Sequence, residues 1–208
     1  MQQLVWKDFM LQRKMIIFYF VYSLFLSTID INNKAFVTIA CIIVPVLGTI
    51  VSINQEEKNN SNKVVSSLPV SRKNVVLSKY IFSHCLIVLG ILMALIIGIL
   101  QIQYGKKEVS TVIVWGDIVG GMVEGILFIS IVLPVSLGIG NKIGTQVAVF
   151  IGIMFTMIQG AVISAFWTDS MNGWATHFTA NAIVLVGAIA LNVASLFLTI
   201  HLYEKRDL

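Results

Sequence analysis

Long apolar runs separated by short polar joints make up most of this chain, and their spacing predicts helices rather than strands. The runs are Met15–Ile29, Ala35–Ile53, Ile81–Ile102, Ile118–Ile139, Thr145–Trp167 and Ala182–Tyr203. Continuous apolar stretches of about 20 residues match the hydrocarbon core of a bilayer, about 30 Å thick. The expected fold class is therefore all-α integral membrane, with six transmembrane helices in one domain covering residues 1–208. Met15–Ile29 is short at ~1.5 Å per residue and must borrow length from Arg13 and Lys14, whose stems can snorkel, and from Asp30–Lys34. Pro45 lies inside the second run, where it is expected to kink the helix.

Two stretches break this pattern. Residues 1–14 read as an amphipathic helix. Val5, Trp6, Phe9 and Met10 fall on one face, and Gln3, Lys7, Asp8, Gln12 and Lys14 occupy the rest. Such a helix is expected to lie in the membrane interface, its apolar side towards the lipid boundary and Trp6 at headgroup depth. Asn54–Tyr80 is the only long polar segment between spans. It opens with Glu56, Glu57 and Lys58, continues through Lys63, and carries a short apolar patch of Val64, Val65 and Leu68 that Pro69 ends. Asn59–Leu68 spans about two helical turns with those three side chains together, and an apolar patch rimmed by charge is a protein-contact signature. Positive-inside topology alone also places cations here, so the patch is equally compatible with resting on the membrane. Ser71 is a good N-cap for a helix starting at Arg72.

Composition agrees with the pattern: 57% of the 208 residues are hydrophobic and only 12% charged, against about a quarter charged in a soluble domain. The net charge of +4 is modest, but its placement is informative. Of the 14 Lys and Arg residues, 11 flank the N-terminal side of the spans and only Lys34, Lys106 and Lys107 the other. The positive-inside rule then puts both termini and the Asn54–Tyr80 loop in the cytoplasm. The first residues mix acidic and basic side chains with no small-residue cleavage site beyond them, so no cleaved leader is expected. Cys41 and Cys85 have no ligand-spaced partner and read as core thiols. His84, His177 and His201 lie apart, so no metal is expected, and nothing points to nucleic acid.

The opening Leu4-Val5-Trp6-Lys7-Asp8-Phe9, together with Glu56-Glu57-Lys58, Ser67-Leu68-Pro69-Val70-Ser71-Arg72 and Ser78-Lys79-Tyr80, resembles permease subunits of ATP-binding-cassette transporters of the type-2 exporter class. The resemblance covers the whole layout and about 35 residues of motif. It implies that residues 1–14 form the connecting helix. It also implies that Glu56, Glu57, Lys58, Lys63, Val64, Val65, Leu68 and Arg72 belong to a cytoplasmic coupling helix and its flanks, which dock on a separate ATPase subunit present in two copies. A second permease, identical or related, is the other expected partner. No GxxxxGK[ST] occurs, so this chain needs no cofactor of its own; ATP and magnesium belong to the ATPase. The expected function is export of an amphipathic or hydrophobic substrate, a peptide toxin, antimicrobial or lipid-like compound, across a bacterial cytoplasmic membrane. A membrane scaffold or immunity protein without transport shares every topological feature.

An intramembrane protease is a weaker alternative. Glu56-Glu57 is a carboxylate pair, but it lies in the loop, away from histidines at membrane depth. Within the spans, Glu124 is the one carboxylate well inside a run, where a charge costs roughly 2.5–3.5 kcal/mol or more. It is expected to line the path, to bind a proton, or to be neutral or hydrogen-bonded between helices near Gly120, Gly121 and Gly125. Gln159, Asn192 and Ser195 are expected as polar contacts between helices. The aromatic residues Phe18, Tyr19, Phe20, Tyr22 and Phe25 face lipid, a partner or a path.

Overall fold

A computed structural model describes residues 2–29, 36–59, 70–103, 115–139, 142–164 and 178–205. Six helices account for nearly all of them: α1 (Gln2–Ile29), α2 (Phe36–Lys58), α3 (Arg72–Gln103), α4 (Trp115–Ile139), α5 (Lys142–Ser164) and α6 (Phe178–Lys205). No strand occurs among the described residues. α4 is the hub, packed against α2, α3, α5 and α6, while α1 lies across α2 and α3. Among the described residues, three helical stretches are long and apolar enough to cross a bilayer: Arg72–Leu100, Ile118–Gly138 and Phe178–Lys205. The apolar stretches Cys41–Glu56 and Gln146–Phe155 are shorter.

Local signals explain several boundaries. α3 starts where Ser71 predicts. The Asn74 N–H donates to the Ser71 carbonyl (2.9 Å) and lies 3.3 Å from Ser71 Oγ, so the serine satisfies an otherwise orphaned first-turn donor. The third span thus begins well before the apolar run, at Arg72. α2 continues as helix through Pro45. Proline has no N–H to give the carbonyl four residues back, and Gly90 of α3 sits against that carbonyl. A Cβ on Gly90 would lie 2.9 Å from Cys41 O and 3.4 Å from Pro45 Cδ. On another side, a Cβ on Gly125 of α4 would meet Pro45 Cγ at 3.4 Å and Ile87 Cγ1 at 3.2 Å. Pro45 therefore marks a three-helix junction where backbones approach closely, as small residues permit inside membranes.

α1 departs from expectation in two ways. The helix runs unbroken from Gln2 to Ile29, about 42 Å at the standard rise, with no break at Lys14 between an interfacial helix and a span. Its polar side is also the buried one: Asp8, Gln12, Tyr19 and Ser23 form a stripe facing the bundle, each 1% exposed or less. Gln12 Nε2 donates to the Gly48 carbonyl at 2.6 Å, and Tyr19 Oη lies 3.4 Å from Gln12 Oε1. Trp6, Met10, Ile17, Phe18, Val21 and Phe25 point outward. The physical reason is the solvent. Facing lipid, apolar side chains gain nothing by turning inward, whereas polar ones gain partners. Phe18 and Tyr22 stack on that outer face with centroids 5.9 Å apart.

The Pro45 junction yields a direct test. Gly90→Leu forces a side chain into the Cys41 carbonyl and should cost about 1–3 kcal/mol, the usual range for overpacking. Gly187→Leu, where nothing lies within 4 Å of the added Cβ, should be neutral. Thermal midpoints of the detergent-solubilised variants, read by size-exclusion chromatography after heating, should fall for the first and stay for the second.

Candidate functional site

Four charged side chains from three helices meet at one end of the bundle. Lys7 and Asp8 come from α1, Glu56 from the last turn of α2, and Lys79 from the third turn of α3. Lys79 Nζ lies 2.8 Å from Asp8 Oδ2 and also bonds Glu56 Oε1. Lys7 Nζ lies 3.0 Å from the same Glu56 oxygen and 3.5 Å from Asp8 Oδ1. Asp8, Glu56 and Lys79 are buried, and only the Lys7 side chain, about a third exposed, reaches the surface. Two cations and two carboxylates balance, which is the condition for burying charge at all. Phe9 packs edge-on against Phe82 beside the cluster, with centroids 5.1 Å apart.

The electrostatics of the two groups nearest the surface follow from this arrangement. Burial pushes the Glu56 carboxyl up, but the neighbouring Lys79 and then Lys7 outweigh it and hold the carboxyl below its ordinary 4.5. Burial likewise pulls the Lys7 ammonium down, but Glu56 and Asp8 outweigh it and hold the ammonium above its ordinary 10.5. A depressed acid stabilises the fold above its unfolded value and loses that contribution as pH falls through its folded value. A raised base stabilises the fold below its unfolded value and loses that contribution as pH rises through its folded value. The cluster is therefore at full strength between these limits.

The cluster sits at the base of the segment that joins α2 to α3. On the far side of that base, Arg72 Nη1 donates to the carbonyls of Glu204 (2.8 Å) and Tyr203 (3.4 Å), binding the start of α3 to the end of α6. A cation at a helix C-terminus also complements its dipole. Starting at Tyr80, the residue after Lys79, a polar seam ties α3, α4 and α6. Tyr80 Oη lies 2.8 Å from both Ser195 Oγ and Thr199 Oγ1. Ser195 Oγ donates to the Ser130 carbonyl at 2.7 Å, and Asn192 Nδ2 donates to Ser130 Oγ at 2.8 Å. Asn192 and Ser195 thus join helices, as expected.

The residues singled out from sequence divide as follows. Glu56 and Arg72 are engaged within the bundle, while Lys58 is exposed. The Glu57 side chain and all of Lys63, Val64, Val65 and Leu68 lie outside the described residues, as does the Gln159 side chain. Trp6 and Met10 face outward, whereas Val5 and Phe9 are half-buried. Glu124 is 1% exposed, and its Oε1 has no hydrogen-bond partner among the described residues. It neighbours Gly125 at the Pro45 junction, so it lies at mid-helix depth. The roles of Asp8 and Lys79 were not legible in advance. Their signal was present, since Lys7-Asp8, Glu56 and Lys79-Tyr80 belong to three separate motif segments, and the fold brings all three together.

Bundles of long apolar helices with their charges gathered at one end are the mark of integral membrane proteins. A family model described as ABC-2 family transporter protein matches residues 3–204. The chain belongs to that family and is a transmembrane subunit of an ATP-binding-cassette transporter, whose partner is an ATP-binding-cassette ATPase. Comparison with curated proteins and with solved structures returns no match.

Removing one member of the cluster should be far worse than removing a pair. Lys79→Met leaves two buried carboxylates facing Lys7 alone and should cost about 3–5 kcal/mol; adding Asp8→Leu should recover most of that loss. Thermal midpoints of the single and double variants check this. A second measurement uses pH. The difference in midpoint between wild type and Glu56→Gln should hold steady across neutral pH and shrink as pH drops below 4.5.

Proposed function

We propose that this chain is the membrane subunit of an ATP-driven exporter whose α2–α3 segment is the lever worked by the ATPase. The observation that carries the reading is the Glu56–Lys79 ion pair. It closes the base of that segment, so a push on the segment is delivered to α2 and α3 together, and through Asp8 to α1. Arg72 extends the same base to α6. A lever needs a stiff root, and a buried, charge-balanced cluster provides one.

In this reading the charged end faces the cytoplasm, and all six helices cross the bilayer with both termini inside. Val64, Val65 and Leu68 present the apolar contact to the ATPase, with Glu57, Lys58 and Lys63 around it. The ATPase binds ATP and magnesium and is present in two copies, and two permeases, identical or related, pair around the path. The cargo is an amphipathic or hydrophobic compound, a peptide toxin, antimicrobial or lipid-like molecule. The family assignment and the apolar outer surface of the bundle support a substrate drawn from the lipid phase. Glu124 and Gln159 are the intramembrane polar contacts.

The test is made on the complex reconstituted with its ATPase. Replacing Val64, Val65 and Leu68 together by Asp should abolish substrate-stimulated ATP turnover and co-purification of the ATPase, while membrane insertion persists. Unchanged turnover with the ATPase still bound would remove the docking assignment. A wild-type chain that never captures an ATPase would instead point to a scaffold or immunity role.

A further inference from the structure

A groove of about 470 Å³ runs along the outer side of the α3–α6 contact, between Leu77–Val88 of α3 and Asn192–Leu196 of α6. Both walls belong to helices long and apolar enough to cross the membrane, and the groove opens on the outer surface, where Ile81 and Val88 are exposed. Its volume is in the range of small-molecule sites. Its lining is apolar except for Tyr80, His84, Cys85 and Asn192.

The hydrogen-bonding state of two of these is fixed by their partners. His84 Nδ1 lies 2.7 Å from the Tyr80 carbonyl, which can only accept. The proton of the neutral imidazole is therefore on Nδ1, and Nε2 is left as an acceptor. Asn192 Nδ2 donates to Ser130 Oγ and lies 3.4 Å from the Ile126 carbonyl, again acceptor-only. That orients the amide, so Asn192 Oδ1 is the remaining group, also an acceptor. Neither Nε2 nor Oδ1 has a partner among the described residues. The groove thus offers two acceptors in a largely apolar wall.

We propose that this groove binds a single-chain amphiphile dissolved in the surrounding bilayer, its head a hydrogen-bond donor that meets His84 Nε2 and Asn192 Oδ1 while its chain lies along Ile81 and Val88. A head that only accepts finds only the weak S–H donor of the free Cys85 there, and buried polar groups left unpaired are what give such sites their selectivity. The inference needs only the membrane setting of the family. The assay below contains no ATPase, so its failure leaves the coupling reading untouched, and the reverse also holds.

The experiment uses the full chain in phosphatidylcholine nanodiscs with a long-chain alcohol bearing a mid-chain diazirine as photo-crosslinker. Labelled peptides are mapped by mass spectrometry, and labelling is competed with dodecanol or with dodecyl methyl ether, which lacks the donor. Labelling should map to Leu77–Val88 and Asn192–Leu196, and dodecanol should compete at about tenfold lower concentration than the ether, the worth of one well-made hydrogen bond. In the double variant His84→Phe with Asn192→Leu, which removes both acceptors, the two competitors should approach parity while labelling stays in the groove; His84→Phe alone should keep part of the preference through Asn192 Oδ1. Equal competition in wild type, labelling that avoids the groove, or a tenfold preference that persists in the double variant would each overturn the proposal.

Discussion

Charge cannot be left alone in a low-dielectric interior, and that constraint organises one whole end of this bundle. Asp8, Glu56 and Lys79 are buried together with Lys7 at their edge, so none of the three helices that supply them can be withdrawn without stranding a charge. Stability is not what such a cluster is good for, because a well-packed apolar replacement is often as stable. Its effect is to make the arrangement of α1, α2 and α3 all-or-none. In the coupling role proposed above, an all-or-none joint at the root of the α2–α3 segment is what would pass a displacement from the ATPase to the helices.

Deeper in the bundle the joints are of a different kind. Around Pro45, contact is made by missing atoms, with Gly90 and Gly125 letting α3 and α4 close on α2. Between α3, α4 and α6 the joint is a run of hydroxyls and one amide. The two types have different tolerances: close backbone packing rejects any added side chain, whereas hydroxyl contacts can re-pair when helices shift. Between the ends of the helices, the outer surface formed by the described residues is largely apolar, as lipid requires, and α6 is the extreme case, with large side chains such as Ile183, Val186 and Phe197 exposed.

Much of this was legible along the chain. The apolar runs mark where helices lie, and Ser71 marks where α3 begins, because capping is local chemistry. That the apolar side of residues 1–14 turns towards lipid was legible, and Trp6 and Met10 do face outward. What could not be read was that polar residues on the other side pack into the bundle instead of facing water. In lipid the polar stripe Asp8–Gln12–Tyr19–Ser23 goes inside. The ion cluster was hidden for another reason: its partners are 49 and 71 residues apart in sequence. Each half looked like an ordinary charge at a membrane boundary, and only the fold shows that three motif segments share one site.

The central claim is that this cluster, and not merely the helices around it, transmits the ATPase stroke. The most direct measurement is substrate-stimulated ATP turnover of the reconstituted complex carrying Asp8→Lys, Lys79→Asp, or both. Each single exchange gives the cluster a net charge and should uncouple turnover from substrate even where the complex still assembles; the double exchange restores balance and should recover much of the coupling. Single variants that assemble and turn over like the wild type would contradict the account.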